Sequence, residues 1–241
     1  MHWEAAKSIL RYLSGTAHYG LVFGQVDRSA DSGVTQADDT AEVNRDISCY
    51  ADADWAAKAD GEDPRRSCTG NLLLIGGSVV DWTCKLQATV ALSSCEAEYL
   101  SSGSAVQSML YLDSLMREME LRGGGGGNIS SGVSSGAKSP TPLKLKVLND
   151  NQSAVAICKN DVLHSRVRHI DIKHHFIREQ VQSGTVEVSW IPTLQQLADV
   201  LTKPLRGRPF TRLRDAIVVP VPVKLEVKAS SLVGECRDTS E

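Results

Sequence analysis

The sequence predicts an α/β protein in which helices cover both faces of a five-stranded mixed sheet. Three segments with strand character follow one another through short turns, which predicts an antiparallel meander. A long helical segment then separates this meander from two further strands, and helical segments also lie between those two strands. This order of elements predicts a sheet that contains both antiparallel and parallel strand pairs.

The meander is predicted from alternation and from turn residues. Apolar and polar side chains alternate from Ile47 to Asp52, which is the period of two that is typical of a strand. The apolar run 71–75 predicts the second strand, and Gly76-Gly77 after it is a hairpin turn signal. We therefore expect the third strand at 78–83.

A long helix is predicted from Ser94 to about Leu121. Its apolar residues recur at steps of four and three, which marks one buried face; they are Ala105, Met109, Leu112, Met116 and Met119. Small residues near its start, Ser101, Ser102 and Gly103, permit close packing of the helix on the sheet.

The second half of the chain predicts two strands and three helices. The strands are expected near 143–147 and at 185–191, and the helices from Asn151 to Ile157, at 170–181 and from Thr193 to about Pro204. Thr193 and Gln196 have the spacing of a capping box, in which a hydroxyl and an amide satisfy free N–H groups at a helix start. The Pro-interrupted run from Ile217 to Val227 predicts no regular element.

Composition divides the 241 residues into four parts. Segment 1–24 carries a helix with the apolar stripe Trp3, Ala6, Ile9, Leu10 and Leu13. Segment 25–46 is a polar, acidic linker that we expect to be disordered, because it cannot bury enough apolar surface. The main domain covers 47–205 and contains a Gly/Ser insert at 123–139, and 206–241 form a tail whose last part is also expected to be disordered.

Charge and cysteine usage limit the classes of protein that are possible. The net charge is −3, with 26 Lys and Arg against 29 Asp and Glu, so any nucleic-acid binding must come from local basic patches. The six cysteines include no C-x-x-C pair, which favours reduced thiols in an intracellular protein. There is no signal peptide and no apolar run of ~20 residues that could span a bilayer. We therefore expect a cytoplasmic protein without a membrane partner.

Two aspartates follow strands that could be neighbours. Asp52 ends the first strand and Asp150 ends the fourth, so parallel pairing of these strands would bring both carboxylates to one edge of the sheet. Like charges so close repel one another unless cations neutralise them, and carboxylate oxygens suit Mg²⁺ or Mn²⁺. Taken singly, each Asp is better explained as a turn residue or a helix cap. Asp54 competes with Asp52 for the first position, since both lie on the same strand face.

Spacing along the long helix selects a third carboxylate. Glu98 lies seven residues before Ala105 and therefore heads the buried face, whereas Glu96 lies ~200° away around the helix. A carboxylate that enters an apolar face needs a partner or a metal; a frayed helix start with a solvated Glu98 is the alternative. Asp199 on the last helix would, from spacing alone, be a surface residue.

Five segments give a specific resemblance. In chain order they are YADADWAA, ALSSCEAEYLS, VLNDNQSAVAI, HSRVRHIDIKHHFIREQVQSG and WIPTLQQLADVLTKPL. They resemble the successive signatures of RNase H in the Gag-Pol polyproteins of copia-type LTR retrotransposons. The preceding segment HWEAAKSILRYLSGTAHYGLVF resembles the connection segment of those polyproteins, so the resemblance runs from His2 to Leu205 and is interrupted by two inserts.

The resemblance implies an RNase H-like fold that cuts the RNA strand of an RNA–DNA hybrid with two Mg²⁺ or Mn²⁺ ions. Residue by residue, it implies an active site made of Asp52, Glu98, Asp150 and Asp199. Asp52 would bridge both ions, Glu98 and Asp150 would hold one ion, and Asp199 would hold the other, with the ions about 3.5–4 Å apart. The hybrid and the reverse-transcriptase portion of the polyprotein are the implied partners, and a retroelement particle in the cytoplasm is the implied location.

Basic residues occur in two groups that could contact the phosphates of a hybrid. They are Arg65 and Arg66 after the first strand, and Arg166, Arg168, His169 and Lys173 before and within a later helix. A solvated basic surface is an equally good interpretation of each residue. The spacing of His169 and His174 does not favour zinc, and no His lies between Ile191 and Asp199 that could shuttle a proton.

Two other functions remain open at this stage. Met1 lies inside the connection segment and no Tyr-x-Asp-Asp motif is present, so the chain resembles an isolated fragment, which could be an inactive remnant that only binds nucleic acid. An integrase-type nuclease of the same superfamily would carry a Glu on its late helix, where this chain has Asp199. The Asp31-Ser32-Gly33 triplet of an aspartic protease is rejected, because no apolar strand flanks it. The sequence does not predict an oligomeric state.

Overall fold

The computed structural model describes residues 2–23, 46–56, 65–123, 143–159 and 171–221. The predicted linker 25–46 and the predicted insert 123–139 lie outside the described residues except at Asp46 and Gly123, and the last twenty residues of the tail lie outside them entirely. The expected disorder of these segments stays a prediction.

The chain forms seven strands and six α-helices within the described ranges. The strands are β1 Tyr19–Gly20, β2 Ile47–Asp54, β3 Cys68–Ile75, β4 Ser78–Leu86, β5 Leu145–Asn149, β6 Val186–Trp190 and β7 Val219–Pro220. The helices are α1 His2–Gly15, α2 Ser94–Gly123, α3 Gln152–Lys159, α4 Asp171–Gln182, α5 Asp199–Thr202 and α6 Arg208–Ile217, and a 3₁₀ turn covers Thr193–Gln195.

Five strands form the central sheet in the order β4-β3-β2-β5-β6. β2, β3 and β4 pair antiparallel, whereas β5 pairs parallel with both β2 and β6. The prediction of an α/β fold with a five-stranded mixed sheet is confirmed. The parallel pair of β2 and β5 brings the carboxyl ends of these two strands to the same edge.

Apolar side chains cover both faces of this sheet. On one face, α2, α3 and α4 enclose a large cluster that includes Cys49, Tyr99, Met109, Val147 and Ile177, each at most 1% exposed. On the other face, a smaller cluster joins the sheet to the segments around α5 and α6; its buried members are Leu72, Leu74, Val79, Leu197 and Leu213. Alternate residues of β3 therefore face different helices, as the strand period of two requires.

The predicted buried face of α2 is correct at its start and wrong at its end. Ala105 and Met109 are fully buried, but Met119 is 57% exposed. The 30 residues of α2 span about 45 Å, whereas the eight residues of β2 span only about 26 Å. The last turns of α2 therefore extend beyond the sheet that buries its first half.

The predicted capping box at Thr193 is wrong. Thr193 lies in the 3₁₀ turn, whose N-terminus has no side-chain cap. The Gln196 amide instead donates to the Ala51 carbonyl at 2.9 Å and accepts from the Ala198 N–H at 3.2 Å. Because the fully buried amide must satisfy its polar atoms inside the protein, its nitrogen bonds the sheet and its oxygen bonds the N–H of Ala198, which directly precedes α5. The single helix predicted from Thr193 to Pro204 is accordingly a 3₁₀ turn followed by the short helix α5.

The chain divides into two compact units. One unit contains 21–217 and hence the central sheet, and the other contains 1–20 and 218–241. In the smaller unit, β1 pairs antiparallel with β7 at the run where the sequence predicts no regular element. The predicted stripe of α1 is exposed, with Trp3 at 70% and Leu10 at 63%. Within the described ranges, no helix is long and apolar enough to cross a membrane.

Candidate active site

Three aspartates from distant parts of the chain meet at one edge of the sheet. Asp52 lies near the end of β2, Asp150 follows β5 and Asp199 begins α5. Each contributes a carboxylate oxygen, and these oxygens all lie within 4.8 Å of one another. Asp52 and Asp199 are buried and Asp150 is half-buried. Parallel pairing of β2 and β5 explains the first two positions, and packing of α5 on the sheet supplies the third.

Glu98 lies beside this group of three aspartates. It is 6% exposed, and its Oε2 accepts a hydrogen bond from Asn149 Nδ2 at 3.0 Å. Burial, followed by the charges of Asp52 and Asp150, raises the pKa of Glu98 to about 8. Desolvation disfavours the charged form of a carboxyl group, and nearby negative charges act in the same direction. The sequence analysis selected Glu98 for this position from its helical spacing.

Glu96 has a different partner, although it is 8% exposed and therefore also buried. Its Oε2 accepts from the Leu92 backbone N–H at 2.8 Å, just before α2 begins. A carboxylate that binds free N–H groups before a helix stabilises the helix start. The two glutamates of the Glu-Ala-Glu motif thus have different surroundings. Glu96 bonds the backbone at the start of α2, whereas Glu98 lies beside the aspartates.

Asp54, the competing candidate for the first position, lies one full strand period beyond Asp52. Burial raises the pKa of Asp54, and the charge of Asp52 adds to this effect. The group of three carboxylates within 4.8 Å contains Asp52 and not Asp54. The structure therefore favours Asp52 over Asp54.

A lysine and a threonine that the sequence analysis did not select reach into the same site. Lys203 Nζ lies 2.6 Å from Asp199 Oδ1 and 3.3 Å from Asp52 Oδ1, and Thr202 Oγ1 donates to Asp52 Oδ2. Asp199 begins α5 and Lys203 directly follows it. This spacing of four residues is a signal from which the pair could have been predicted. The side chain of Lys203 is 33% exposed, whereas that of Asp52 is 1% exposed.

The ammonium group of Lys203 offsets part of the negative charge in the site. Burial raises the pKa of Asp199 to about 6, although the hydrogen bond from Lys203 opposes this shift. Burial alone would lower the pKa of Lys203, but its hydrogen bond to Asp199 and the charges of Asp52 and Asp199 raise it overall. Lys203 therefore stays charged, and its ammonium group faces the carboxylates of Asp52 and Asp199.

A buried polar network holds the backbone on which Asp52 is carried. Asn149 Nδ2 contacts the Ala51 carbonyl, Glu98 and Ser102 at 3.0 to 3.3 Å, so it links β5, β2 and α2. Ser101 Oγ donates to the carbonyl of Asp52 itself at 2.8 Å. The small residues near the start of α2, which the sequence predicted as packing residues, thus also carry hydrogen bonds. Such a network restricts the positions of the carboxylates before any ligand binds.

Trp190 holds the backbone of Asp150, the aspartate that follows β5. Its indole N–H donates to the carbonyl of Asp150 at 3.0 Å, while 46% of the residue remains exposed. Trp190 lies on the same strand face as the buried Val186 and Val188, but at the end of β6 it remains partly open to solvent.

The predicted substrate-binding residues are only partly described. Arg65 is exposed, and Arg66 is half-buried with its Nε donating to the Gln87 carbonyl at 2.6 Å. One donor of Arg66 thus ties the start of β3 to the end of β4. Arg166, Arg168 and His169 lie outside the described residues, and so does the side chain of Lys173 on α4.

The donor set fits a divalent cation such as Mg²⁺. The three aspartates offer hard oxygen ligands, and Asp52 and Asp199 are removed from bulk water. Lys203 alone does not balance their charge, so a cation of higher charge would relieve the remaining repulsion. Asp52, Asp150 and Asp199 are the residues that would hold it, with Glu98 adjacent.

Known proteins with similar sequences include Pol polyproteins of plant retrotransposons. The chain is 34% identical over 222 residues to the retrovirus-related Pol polyprotein from transposon RE2 of Arabidopsis thaliana, which covers 92% of this chain. The polyprotein of RE1 from the same plant is 34% identical over 90% of the chain, and that of TNT 1-94 from Nicotiana tabacum is 32% identical over 90%. The chain is a homologue of copia-type Pol polyproteins. It covers only 12–13% of the length of these three relatives. No protein-family profile matches the sequence.

Solved structures with a similar arrangement are RNase H domains. The N-terminal RNase H domain of rv2228c from Mycobacterium tuberculosis, fused to maltose-binding protein, aligns with a TM-score of 0.42 at 12% identity and covers 71% of this chain and 98% of that one. LC11-RNase H1, isolated from compost, aligns with a TM-score of 0.43 at 14% identity over 65% of this chain and 92% of that one. With TM-scores this low, these structures do not support the fold assignment, which rests on the observed strand order.

Proposed function

We propose that the chain is the RNA–DNA hybrid ribonuclease module of a copia-type Pol polyprotein. One observation carries the proposal: oxygens of Asp52, Asp150 and Asp199 lie within 4.8 Å of one another at the carboxyl ends of two parallel strands. The sequence relatives, which are Pol polyproteins, support the same assignment. Within this proposal, 47–205 is the nuclease domain, 1–24 is part of the connection segment, and 206–241 is a tail.

The carboxylates have separate roles in the proposed hydrolysis. Two bound Mg²⁺ ions would activate a water molecule and stabilise the leaving oxygen of the scissile phosphodiester. Asp52 is proposed to contact both ions, because it is the most buried of the aspartates and faces both Asp150 and Asp199. Glu98 and Asp150 would hold one ion and Asp199 the other. Glu98, whose pKa is raised in the absence of metal, must lose its proton to act as a ligand.

The residues around the carboxylates keep them oriented. Asn149 holds Glu98, Ser101 holds the Asp52 backbone, and Trp190 holds the Asp150 backbone. A site assembled before the substrate arrives does not spend binding energy on its own ordering. Lys203 is cationic and partly exposed, so it can also contact an anionic substrate at the edge of the site.

Substrate binding is proposed to involve mainly phosphates. The first basic group lies just before β3 and consists of Arg65 and Arg66. The second basic group consists of Arg166, Arg168, His169 and Lys173. Such contacts position a duplex without reading its sequence, and 2′-hydroxyl contacts would distinguish RNA from DNA. We further propose the reverse-transcriptase portion of the parent polyprotein as the protein partner, and a cytoplasmic retroelement particle as the location.

Cleavage of a labelled RNA–DNA hybrid tests this function. The chain should release short RNA fragments in Mg²⁺ and none in a chelator, and Asp150→Asn should reduce the rate by about a thousandfold or more because it removes a ligand charge while keeping the side-chain shape. Asp215→Asn is the matched control: Asp215 is exposed and pairs with Arg214 on α6, so this variant should retain the wild-type rate.

The rate pattern distinguishes the proposal from its alternatives. Equal cleavage by wild type and Asp150→Asn would show that the activity does not belong to this site. A folded wild-type chain that binds Mg²⁺ but cuts no hybrid would identify an inactive remnant instead. Arg168→Ala should weaken hybrid binding with little effect on the rate at saturation.

A further inference from the structure

Two cysteine thiols lie in contact on the sheet beside the candidate active site. Cys68 begins β3 and Cys84 lies on β4, and their sulfurs are 3.6 Å apart. In the register of this antiparallel pair, Cys68 is opposite Leu86 and Cys84 is opposite Gly70. The two cysteines are therefore diagonal neighbours on one face of the sheet. Both thiols are free.

The surroundings of the two thiols differ in a way that gives them different reactivity. Cys84 is exposed on β4, the edge strand of the sheet, whereas Cys68 is half-buried. Burial, followed by the hydrogen bond with Cys84, raises the pKa of Cys68 to about 12. Because an attacking thiol must reach the disulfide from solvent, the exposed Cys84 is the better first nucleophile.

This contact also adjoins the segment that carries a site carboxylate. The Cys84 thiol donates to the Leu201 carbonyl at 2.9 Å, and Leu201 lies within α5, whose first residue is Asp199. Cys68 is opposite Asp54 in the pairing of β2 with β3. A covalent change at this pair would therefore remove a hydrogen bond between the edge strand and α5.

We propose that Cys68 and Cys84 are a redox modification site, at which a low-molecular-weight disulfide such as oxidised glutathione converts the two thiols into an intrachain disulfide. The sulfurs need to approach by roughly 1.5 Å from their present separation to reach the length of a disulfide bond. Among the described cysteines this is the pair whose sulfurs are in contact; Cys49 and Cys158 are buried and Cys95 is half-buried.

The reaction proceeds by two thiol–disulfide exchanges. The Cys84 thiolate attacks one sulfur of oxidised glutathione, which forms a mixed disulfide and releases one glutathione thiolate that takes up the proton lost by Cys84. Cys68, after losing its proton, then attacks the Cys84 sulfur and releases the second glutathione. The protein thiols lose two electrons and two protons in total, and one oxidised glutathione becomes two reduced molecules.

Mass spectrometry of the full chain can detect this bond, because trypsin leaves both cysteines in one peptide. Cleavage after Arg66 and after Lys85 releases 67–85, which contains Cys68 and Cys84 and no other cysteine. Incubation with oxidised glutathione should lower the mass of this peptide by two hydrogens and block its alkylation. Further cleavage before Asp81 should give fragments 67–80 and 81–85 that stay linked until a reductant is added.

Two variants test the order of the steps. Cys68→Ser should accumulate glutathione on Cys84, because the second thiol is missing. Cys84→Ser should acquire glutathione on Cys68 several-fold more slowly, because Cys68 is less exposed than Cys84. Cys95→Ser is the control and should form the disulfide as wild type does, since Cys95 lies outside the pair.

Comparison with the unfolded chain tests the role of the fold. At a fixed concentration of reduced glutathione, the folded chain should need about tenfold less oxidised glutathione for half-oxidation than the chain in urea, because the fold holds the sulfurs together. The proposal is overturned if folded wild type ends with glutathione on Cys84 and no internal bond, or if folded and unfolded chains oxidise equally. Neither outcome depends on whether the serine variants fold.

Discussion

At the scale of single residues, burial and charge oppose each other in the carboxylate site. Asp52 is fully buried among Asp150, Asp199 and Glu98, and the partly exposed ammonium group of Lys203 compensates only some of their charge. The raised pKa values of Glu98 and Asp199 express the remaining repulsion and desolvation. A site that is unfavourable for the metal-free protein gains most from a bound cation.

Lys203→Met should destabilise the metal-free protein and increase its response to metal. Removing the cation should lower the free energy of unfolding by about 2 kcal/mol, less than for a fully buried pair, because the Lys203 side chain is 33% exposed. Urea unfolding in a chelator and in Mg²⁺ measures both quantities, and the stabilisation by Mg²⁺ should be larger in the variant. Lys146→Met, which removes the exposed pair with Glu187, should change neither quantity much.

The charge of Glu98 should make the stability of the metal-free protein fall as the pH rises. The folded pKa is raised from 4.5 to about 8, so between these values the folded state holds a proton that the unfolded state has lost. The contribution of Glu98 to stability is therefore greatest below pH 4.5, falls as the pH rises towards about 8, and is lost above that pH. Glu98→Gln should flatten this slope in urea-unfolding experiments, whereas Glu96→Gln should leave it in place. An unchanged slope in Glu98→Gln would contradict the assignment.

At the scale of elements, the site depends on close packing of α5 against the sheet. Gly70 on β3 has no side chain where α5 passes: a Cβ there would lie 2.5 Å from Thr202 Cγ2 and 3.3 Å from the Ala198 carbonyl. The absence of a side chain on β3 thus allows Thr202 and Lys203 to reach Asp52. This is a packing requirement and not a requirement for an unusual backbone conformation.

Gly70→Ala should displace α5 and weaken metal binding without unfolding the sheet. We expect the apparent Kd for Mg²⁺ to rise about tenfold, since Asp199 moves with α5, and overpacking should lower the stability by roughly 1–3 kcal/mol. Calorimetric titration and urea unfolding measure the two effects. Gly103→Ala is the matched control, because its Cβ would meet only the flexible end of Ile177 at 3.1 Å. Equal metal affinity in Gly70→Ala and wild type would contradict the role given to α5.

At the scale of the whole molecule, overall charge limits the affinity for nucleic acid. The net charge of −3 provides no long-range attraction for a polyanion, so binding must depend on local basic groups and on metal in the site. Such a low overall charge agrees with the proposal that the chain is one module of a longer polyprotein. The two Arabidopsis relatives are polyproteins of which this chain covers only 12–13%.

Hybrid binding by the isolated chain should therefore be weak and should decrease steeply with salt. Each phosphate neutralised by Lys or Arg releases counterions, so the logarithm of the binding constant falls linearly with the logarithm of the salt concentration. Fluorescence anisotropy with Asp150→Asn, which keeps the hybrid intact, measures this slope, and Arg168→Ala should make it shallower by about one. Tight binding that does not respond to salt would contradict the phosphate-contact proposal.

The sequence by itself determined the class of the fold and predicted most of the candidate site. The alternation from Ile47 to Asp52 predicted β2, and the small residues near the start of α2 predicted close packing on the sheet. Both signals are local, so they can be read directly from the order of residues. The spacing of Glu98 from the buried face of α2 likewise separated it from Glu96. Motif resemblance supplied Asp199, for which spacing alone predicted a surface position.

Only the tertiary structure decided which groups surround the carboxylates. The side-chain amide of Gln196 donates to Ala51 across the fold and does not form the predicted bond at Thr193. The strand register brings Cys84 to Cys68, and the packing of α5 brings it to Leu201. Lys203 reaches Asp52 because Gly70 leaves room for α5. These contacts join residues that are far apart in sequence. They depend on the burial of polar atoms and on close packing, and neither can be predicted from local periodicity.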